Sequence, residues 1–260
     1  MTLPLPTLNF SPWDIVLIVV VTLQATALAY MRQPRMKAFL LSLPLPFTII
    51  ALAMNRPIDA TNVMGLVLLL LFTHAVRILH LNFRVPIIPT ICLSAVGYAV
   101  IGSLAAPLLP KTGAAFWLAV AFTAALGLFL YLRMPERTER EYCTQLPVWV
   151  KLPIILLVVI LLVLARNYMQ GFATFFPMVG VIAVYESRYC LWTIGRQIPV
   201  MMFCMACLLS VVYLTQSQWG LPLALVAGWC VFLPVFGAFT IQMWSTRKLK
   251  TEQGFDPIGS

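Results

Sequence analysis

Chemistry in this chain has few side chains to draw on. Of eight acidic residues, Asp14 and Asp59 fall near helix ends, Glu136, Glu139 and Glu141 in a polar stretch, and Glu252 and Asp256 in the tail. Glu186 alone sits inside an apolar run, with Arg188 two residues on. His74 and Arg77 occupy the corresponding depth of an earlier run, and their spacing of three places them on one helix face. An ionisable group within hydrocarbon is costly, so each is a functional hypothesis by default. Glu186, Arg188, His74 and Arg77 together outline a substrate or proton site between the third and seventh crossings. A carboxylate in low dielectric holds its proton more firmly and histidine titrates near neutrality, so either could carry a proton. Arg77 or Arg188 could instead bind an anionic solute group. The plainer reading makes Glu186 the partner of an arginine, as structural glue, with the arginines snorkelling to lipid phosphates. Arg166, Asn167, Tyr168 and Gln170 form a polar cluster at the outer mouth, either a vestibule or an interfacial helix start.

The motifs of enzymes are missing from the sequence. It has no phosphate-binding Gly-Lys-Ser/Thr loop, no Gly-x-Ser-x-Gly elbow, no intramembrane Asp pair and no His–carboxylate cluster for a metal. His74 and His80 are too few to ligate a pair of haems. The expectation is a non-enzyme without metal or cofactor. Six cysteines lie mostly in apolar runs, where they behave as small hydrophobes, and the CxxC spacing of Cys204 and Cys207 lacks a thioredoxin-like context.

The elements that must position these residues follow from composition. Apolar residues make up 62% of 260 positions and charged ones 10%, more apolar surface than a water-soluble domain of this length can hide. The solvent is a bilayer, and about 20 apolar residues make one crossing. Apolar runs predict about nine transmembrane helices, near 13–31, 37–54, 61–81, 86–109, 113–132, 149–165, 170–192, 197–215 and 219–245. With the N-terminus outside, all but Arg56, Lys111 and Arg166 of the 17 basic residues fall at or near the cytoplasmic side. The net charge of +9 thus belongs to the membrane interface and not to nucleic acid. Trp13, Trp117 and Trp219 fall at outer helix ends, Trp149, Trp192 and Trp244 at inner ends, and Trp229 deep. Pro44, Pro46, Pro177 and Pro234 lie inside crossings and invite kinks. Gly65, Gly97, Gly102, Gly180 and Gly228 invite close helix approach.

The halves echo each other. Lys37, Arg56, Pro86 and Trp117 match Lys151, Arg166, Pro199 and Trp229, with spacings of 19, 30 and 31 against 15, 33 and 30. This divides the all-α polytopic chain into an N-terminal transmembrane helix (1–36), a first four-helix repeat (37–132), a solvated cytoplasmic linker (133–148), a second repeat (149–245) and a cytoplasmic tail (246–260). An even number of crossings per copy makes the repeats parallel. Within the second copy, Arg166-Asn167-Tyr168, Gly171, Phe176-Pro177, Ile182-Ala183 and Tyr185 resemble the signature of the GlpM-like bacterial inner-membrane proteins, which are small four-helix proteins. The resemblance spans roughly 150–245 and implies a fold and an address in the bacterial inner membrane, not a reaction. The expected function is a small-solute transporter or permease, proton-linked if Glu186 titrates. The rival is a non-transporting subunit that anchors or assembles a cell-envelope complex, or a lipid-handling protein. Expected partners are the bilayer, a small solute, and either further copies of the chain or a membrane-complex protein.

Overall fold

Helices account for all the regular structure of the described residues. A computed structural model describes residues 12–135, 137, 139, 141–142, 145–165 and 170–252. In order come α1 (Pro12–Tyr30), α2 (Pro34–Ser42), α3 (Leu45–Met54), α4 (Ala60–Leu81), α5 (Ile87–Ala105), α6 (Gly113–Arg133), α7 (Val148–Ala165), a 3-10 helix (Gln170–Phe175), α8 (Met178–Glu186) and α9 (Leu191–Glu252). Local chemistry sets the starts. Asp59 caps α4 by accepting from Thr61 N at 2.9 Å, while Asn62 Oδ1 accepts from Asp59 N at 2.9 Å, a reciprocal capping box. Pro34 opens α2, where a missing N–H costs nothing.

Six stretches are long and apolar enough to cross a membrane: Pro12–Tyr30, Pro34–Met54, Ala60–Leu81, Ile87–Ala105, Gly113–Arg133 and Leu191–Gln242. That is three fewer than the nine expected. Two of the missing ones are the shorter apolar helices Val148–Val163 and Gly171–Glu186. The third is absorbed into α9, which folds back on itself. Gly220 has φ 73° and ψ 163°, outside the helical region. Phe203 and Phe239 are then in contact, with ring centroids 5.2 Å apart and planes tilted by 55°. A straight helix would hold them about 54 Å apart at 1.5 Å per residue. α9 is therefore a hairpin of two arms, 191–219 and 221–252. Gly220→Ala should destabilise the protein by ~1–3 kcal/mol, because that backbone region is essentially closed to residues with a Cβ. Thermal unfolding in detergent measures this, and Gly237→Ala is the control, since a Cβ there meets nothing within 4 Å.

Two helices are broken in mid-course. Between α2 and α3 the sequence Leu43-Pro44-Leu45-Pro46 removes two donors and crowds the preceding turn. Pro177 does the same between the 3-10 helix and α8. Pro153, Pro199, Pro222 and Pro234 lie within helices that continue through them. The two broken helices run antiparallel. Lys37 of α2 donates to the carbonyl of Glu186 at the end of α8. Midway, Phe47 and Phe175 stack at 4.8 Å. At the far end, Met54 and Gly171 line one cavity. This arrangement gives the parallel repeat no support. The expected counterpart of the broken α2–α3 is α7, which is continuous, because landmark spacing registers position along the chain and not the path of the backbone.

α4 is central. Its Leu68, Phe72 and Val76 join an apolar cluster with α1, α7 and α8, whereas Val63, Leu66 and Leu70 join another with α6 and α9. The outer surface is apolar too: Leu118 is 71% and Leu132 73% exposed. Such a belt is stable only in lipid. The chain is an integral membrane protein.

Candidate functional site

Glu186 is 1% exposed, and its carboxylate Oε1 lies 2.7 Å from Lys151 Nζ. Lys151 enters from the first turn of α7. Lys37, fully buried in α2, donates to the carbonyl of Glu186 at 2.8 Å and to that of Tyr142 at 2.9 Å. Two ammonium groups and one carboxylate thus tie α2, α7, α8 and the 133–148 segment together at one end of the bundle, here termed the basic end. Glu186 Oε2 has no hydrogen-bond partner among the described residues. The partner is a lysine, where an arginine was expected. A compact ammonium reaches a single carboxylate oxygen, whereas a guanidinium fork asks for both.

The other three expected site residues make contacts that do not include the Glu186 carboxylate. Arg188 donates to Tyr142 Oη at 2.8 Å and to the Tyr185 carbonyl at 3.1 Å, and sits 4.6–5.0 Å from the rings of Tyr142, Tyr185 and Tyr189. His74 Nδ1 lies 3.1 Å from the Leu70 carbonyl of its own helix, and its ring faces Gly195 of α9. Arg77 stacks on Trp192 at 4.6 Å, with Arg137 against the same ring at 3.9 Å. Among the described residues no hydrogen bond or ion pair joins Glu186 to Arg188, His74 or Arg77. The single expected site is two sites, because α4 presents His74 and Arg77 to α9 and not to α8.

The 133–148 segment is more than a solvated linker. Glu139 accepts from Trp192 N at 3.0 Å and Thr193 N at 2.7 Å, capping the start of α9. Trp192 Nε1 donates to the Pro135 carbonyl at 2.8 Å, and Arg196 Nε to that of Met134 at 3.1 Å. Trp192, expected only as a ring at an inner helix end, is therefore clamped by the segment. Glu139→Ala should cost ~0.5–2 kcal/mol, the usual worth of a helix cap. It should also make the segment cleavable in limited proteolysis, and an unchanged digestion pattern would count against the clamp.

Two cavities lie along the seam of the broken helices, and a further one lies at the basic end beside α2. The one at the basic end has a volume of about 280 Å³ and is bounded by α2, the 133–148 segment and the start of α9. A small apolar one of about 60 Å³ lies between the breaks, with Pro44, Phe47, Thr174 and Pro177 on its wall. The third, about 140 Å³, opens at the opposite end among Arg56, Asp59, Asn62, Lys111, Gly171 and Thr174. Asn62 Nδ2 donates to Thr174 Oγ1 at 3.2 Å and to the Gly171 carbonyl at 3.3 Å there. Of the expected outer-mouth cluster, Arg166, Asn167 and Tyr168 lie outside the described residues, and Gln170 opens the 3-10 helix.

Lys37, Lys151, Glu139 and Trp192 make the polar contacts at the basic end that pattern reading missed. One signal was available: a lone carboxylate in an apolar run requires a cation, and Lys37 and Lys151 each stand inside a helix start. Cys204 and Cys207 are free thiols in α9, and Cys143 lies outside the described residues. No group of three or more His, Cys, Asp or Glu able to hold a metal occurs among the described residues. The chain matches no family model, no curated protein and no solved structure.

Proposed function

We propose that the protein is a small-solute transporter whose path follows the seam between the two broken helices. The observation that carries this reading is that α2–α3 and the 3-10 helix–α8 run antiparallel and meet break to break. Breaks within lipid are tolerated where the freed carbonyls line a cavity or are buried in protein, and paired discontinuous helices form solute sites in many transporters. Thr174 lines both the central and the outer cavity, which supports a single route through the two.

An inverted internal pairing supports it further. α1 packs on α7, and α4 on α9. Tyr98 of α5 donates to the Phe172 carbonyl of one broken helix, as Trp229 of the second α9 arm donates to Thr48 of the other at 2.9 Å. In this reading α1–α5 and α7–α9 are related by an in-plane axis, with α6 and the 133–148 segment as the connector. The clustering of Lys37, Arg77, Arg137, Lys151, Arg188 and Arg196 at the basic end favours placing that end in the cytoplasm and the N-terminus outside. The GlpM-like motif at 166–185 adds a bacterial inner-membrane address. Were transport proton-linked, the Glu186–Lys151 pair would have to open in each cycle.

The test heals the breaks. The Pro44→Ala/Pro46→Ala and Pro177→Ala variants restore helical hydrogen bonding, so they should fold at least as well as the parent while flux into proteoliposomes falls about tenfold or more. Osmotic swelling with a panel of neutral, cationic and anionic solutes supplies the readout. Absence of flux for every solute, together with a partner protein co-extracted at fixed stoichiometry, would replace this reading with the anchoring subunit.

A further inference from the structure

We propose that the basic-end cavity is an oxyanion-binding site, a proposal that takes the transport reading as its setting but is tested by binding alone. The lining brings Arg35 of α2, Arg137 of the 133–148 segment and Arg196 of α9 around one space of about 280 Å³. Gln197, 2% exposed, lines the same cavity, and its Nε2 has no hydrogen-bond partner among the described residues. A buried amide donor without an acceptor is costly, and an oxygen of a bound ligand is the missing acceptor.

Backbone geometry points the same way. α2 begins at this cavity, with Gln33, Pro34 and Arg35 on its wall, and no side chain caps it. Its first amides and the positive end of its dipole favour an anion. The start of α9 lies on the same cavity, and there Glu139 already fills that role with both carboxylate oxygens. One helix start therefore displays the contact in an intramolecular form and the other leaves it open.

Two carboxylates share the lining, and neither cancels the site. Glu139 directs its oxygens to the Trp192 and Thr193 amides, and Glu141 is exposed. The volume lies just below the ~300 Å³ at which small-molecule pockets begin, which suits a carboxylate or phosphate ester of a few carbons. The same chemistry occurs in lipid headgroups, and the cavity lies at the level of the bundle end where such phosphates would sit.

The experiment is a thermal-shift titration of the full chain in a neutral detergent, with inorganic phosphate and with succinate, against chloride at matched ionic strength. A parallel series uses nanodiscs of phosphatidylcholine with and without phosphatidylglycerol. The site predicts a saturable stabilisation by the soluble oxyanions, by the anionic lipid, or by both, and the responding series identifies the source. Gln197→Met keeps the side-chain volume and removes the donor. It should raise the unliganded melting temperature while weakening oxyanion binding about tenfold, the worth of one hydrogen bond to a charged group. Arg35→Gln should weaken binding by a similar factor, with each shift measured against the variant's own baseline. Responses no larger than that to chloride in both series, or Gln197→Met and Arg35→Gln proteins that respond as strongly as the parent, would overturn the site. Loss of flux in the proline variants with binding intact would leave the site standing, and flux without oxyanion binding would leave the transporter standing.

Discussion

Replacing Lys151 by methionine is expected to lower the stability of the protein by about 3–5 kcal/mol, the cost of stranding one member of a buried ion pair. The magnitude follows from where the remaining charge is left. Glu186 is 1% exposed, and its second carboxylate oxygen already lacks a hydrogen-bond partner among the described residues. With Lys151 gone, Oε1 loses its contact at 2.7 Å as well. Lys37 does not compensate, because its ammonium is engaged by the carbonyls of Glu186 and Tyr142. Glu186→Gln should cost less than Lys151→Met. The lysine it abandons stands in the first turn of α7, at the bundle end, where a flexible stem can carry its charge to water. The double variant should recover most of the loss, since removing both charges abolishes the desolvation problem. Thermal and denaturant unfolding of all three variants in one detergent measures the cycle. A Lys151→Met protein within about 0.5 kcal/mol of the parent, the range of an ordinary surface substitution, would mean the pair contributes nothing.

That pair also shows where the sequence was legible and where it was not. A single carboxylate within an apolar run marks Glu186 as buried and partnered. Its partner lies 35 positions earlier, beyond anything local spacing reports, so nearby Arg188 drew the expectation instead. The prolines were better guides. Pro44 and Pro177 break their helices for the steric reason that makes proline a breaker anywhere. What the residues did not disclose is that these breaks face each other, which depends on how α4 wedges between two apolar clusters. The end of the chain is instructive in another way. Two separate crossings were expected there, and the turn between them is tight enough that helix runs to helix through Gly220 alone. Glu139 was invisible because a stretch mixing Arg and Glu reads as solvated, and its capping role exists only once α9 starts beside it. The glycines divide by neighbour. A Cβ on Gly65, Gly102 or Gly228 would meet another segment within 2.9–3.3 Å, whereas Gly97 has nothing within 4 Å and so permits no close approach.

Gly127→Val is expected to be as damaging as loss of Lys151, at about 3 kcal/mol or more, while Gly127→Ala costs ~1–3 kcal/mol. Helices in lipid gain no hydrophobic advantage by associating, so their contacts rest on close van der Waals fit. α6 shows this plainly. Its buried positions are Phe116, Ala119, Thr123 and Gly127, a stripe at helical spacing with small residues at three of four places. Its other face carries Leu118, Phe122, Phe129 and Leu132 to lipid. At Gly127 an added Cβ would lie 2.8 Å from the Pro199 carbonyl oxygen and 3.2 Å from Met202 Cβ. The obstruction is largely backbone, which cannot rotate aside as a side chain can. Relief requires the first arm of α9 to move away from α6, and that arm carries Trp192, Arg196 and Gln197 into the basic-end cavity. A Gly127→Ala protein that still folds should therefore bind oxyanions more weakly than the parent, although residue 127 does not line the cavity. Gly97→Ala separates packing from helix propensity. With open space around its Cβ it should be neutral or stabilising by up to ~1 kcal/mol. Equal unfolding midpoints for Gly97→Ala and Gly127→Ala would show that α6 and α9 are not held at the distance described.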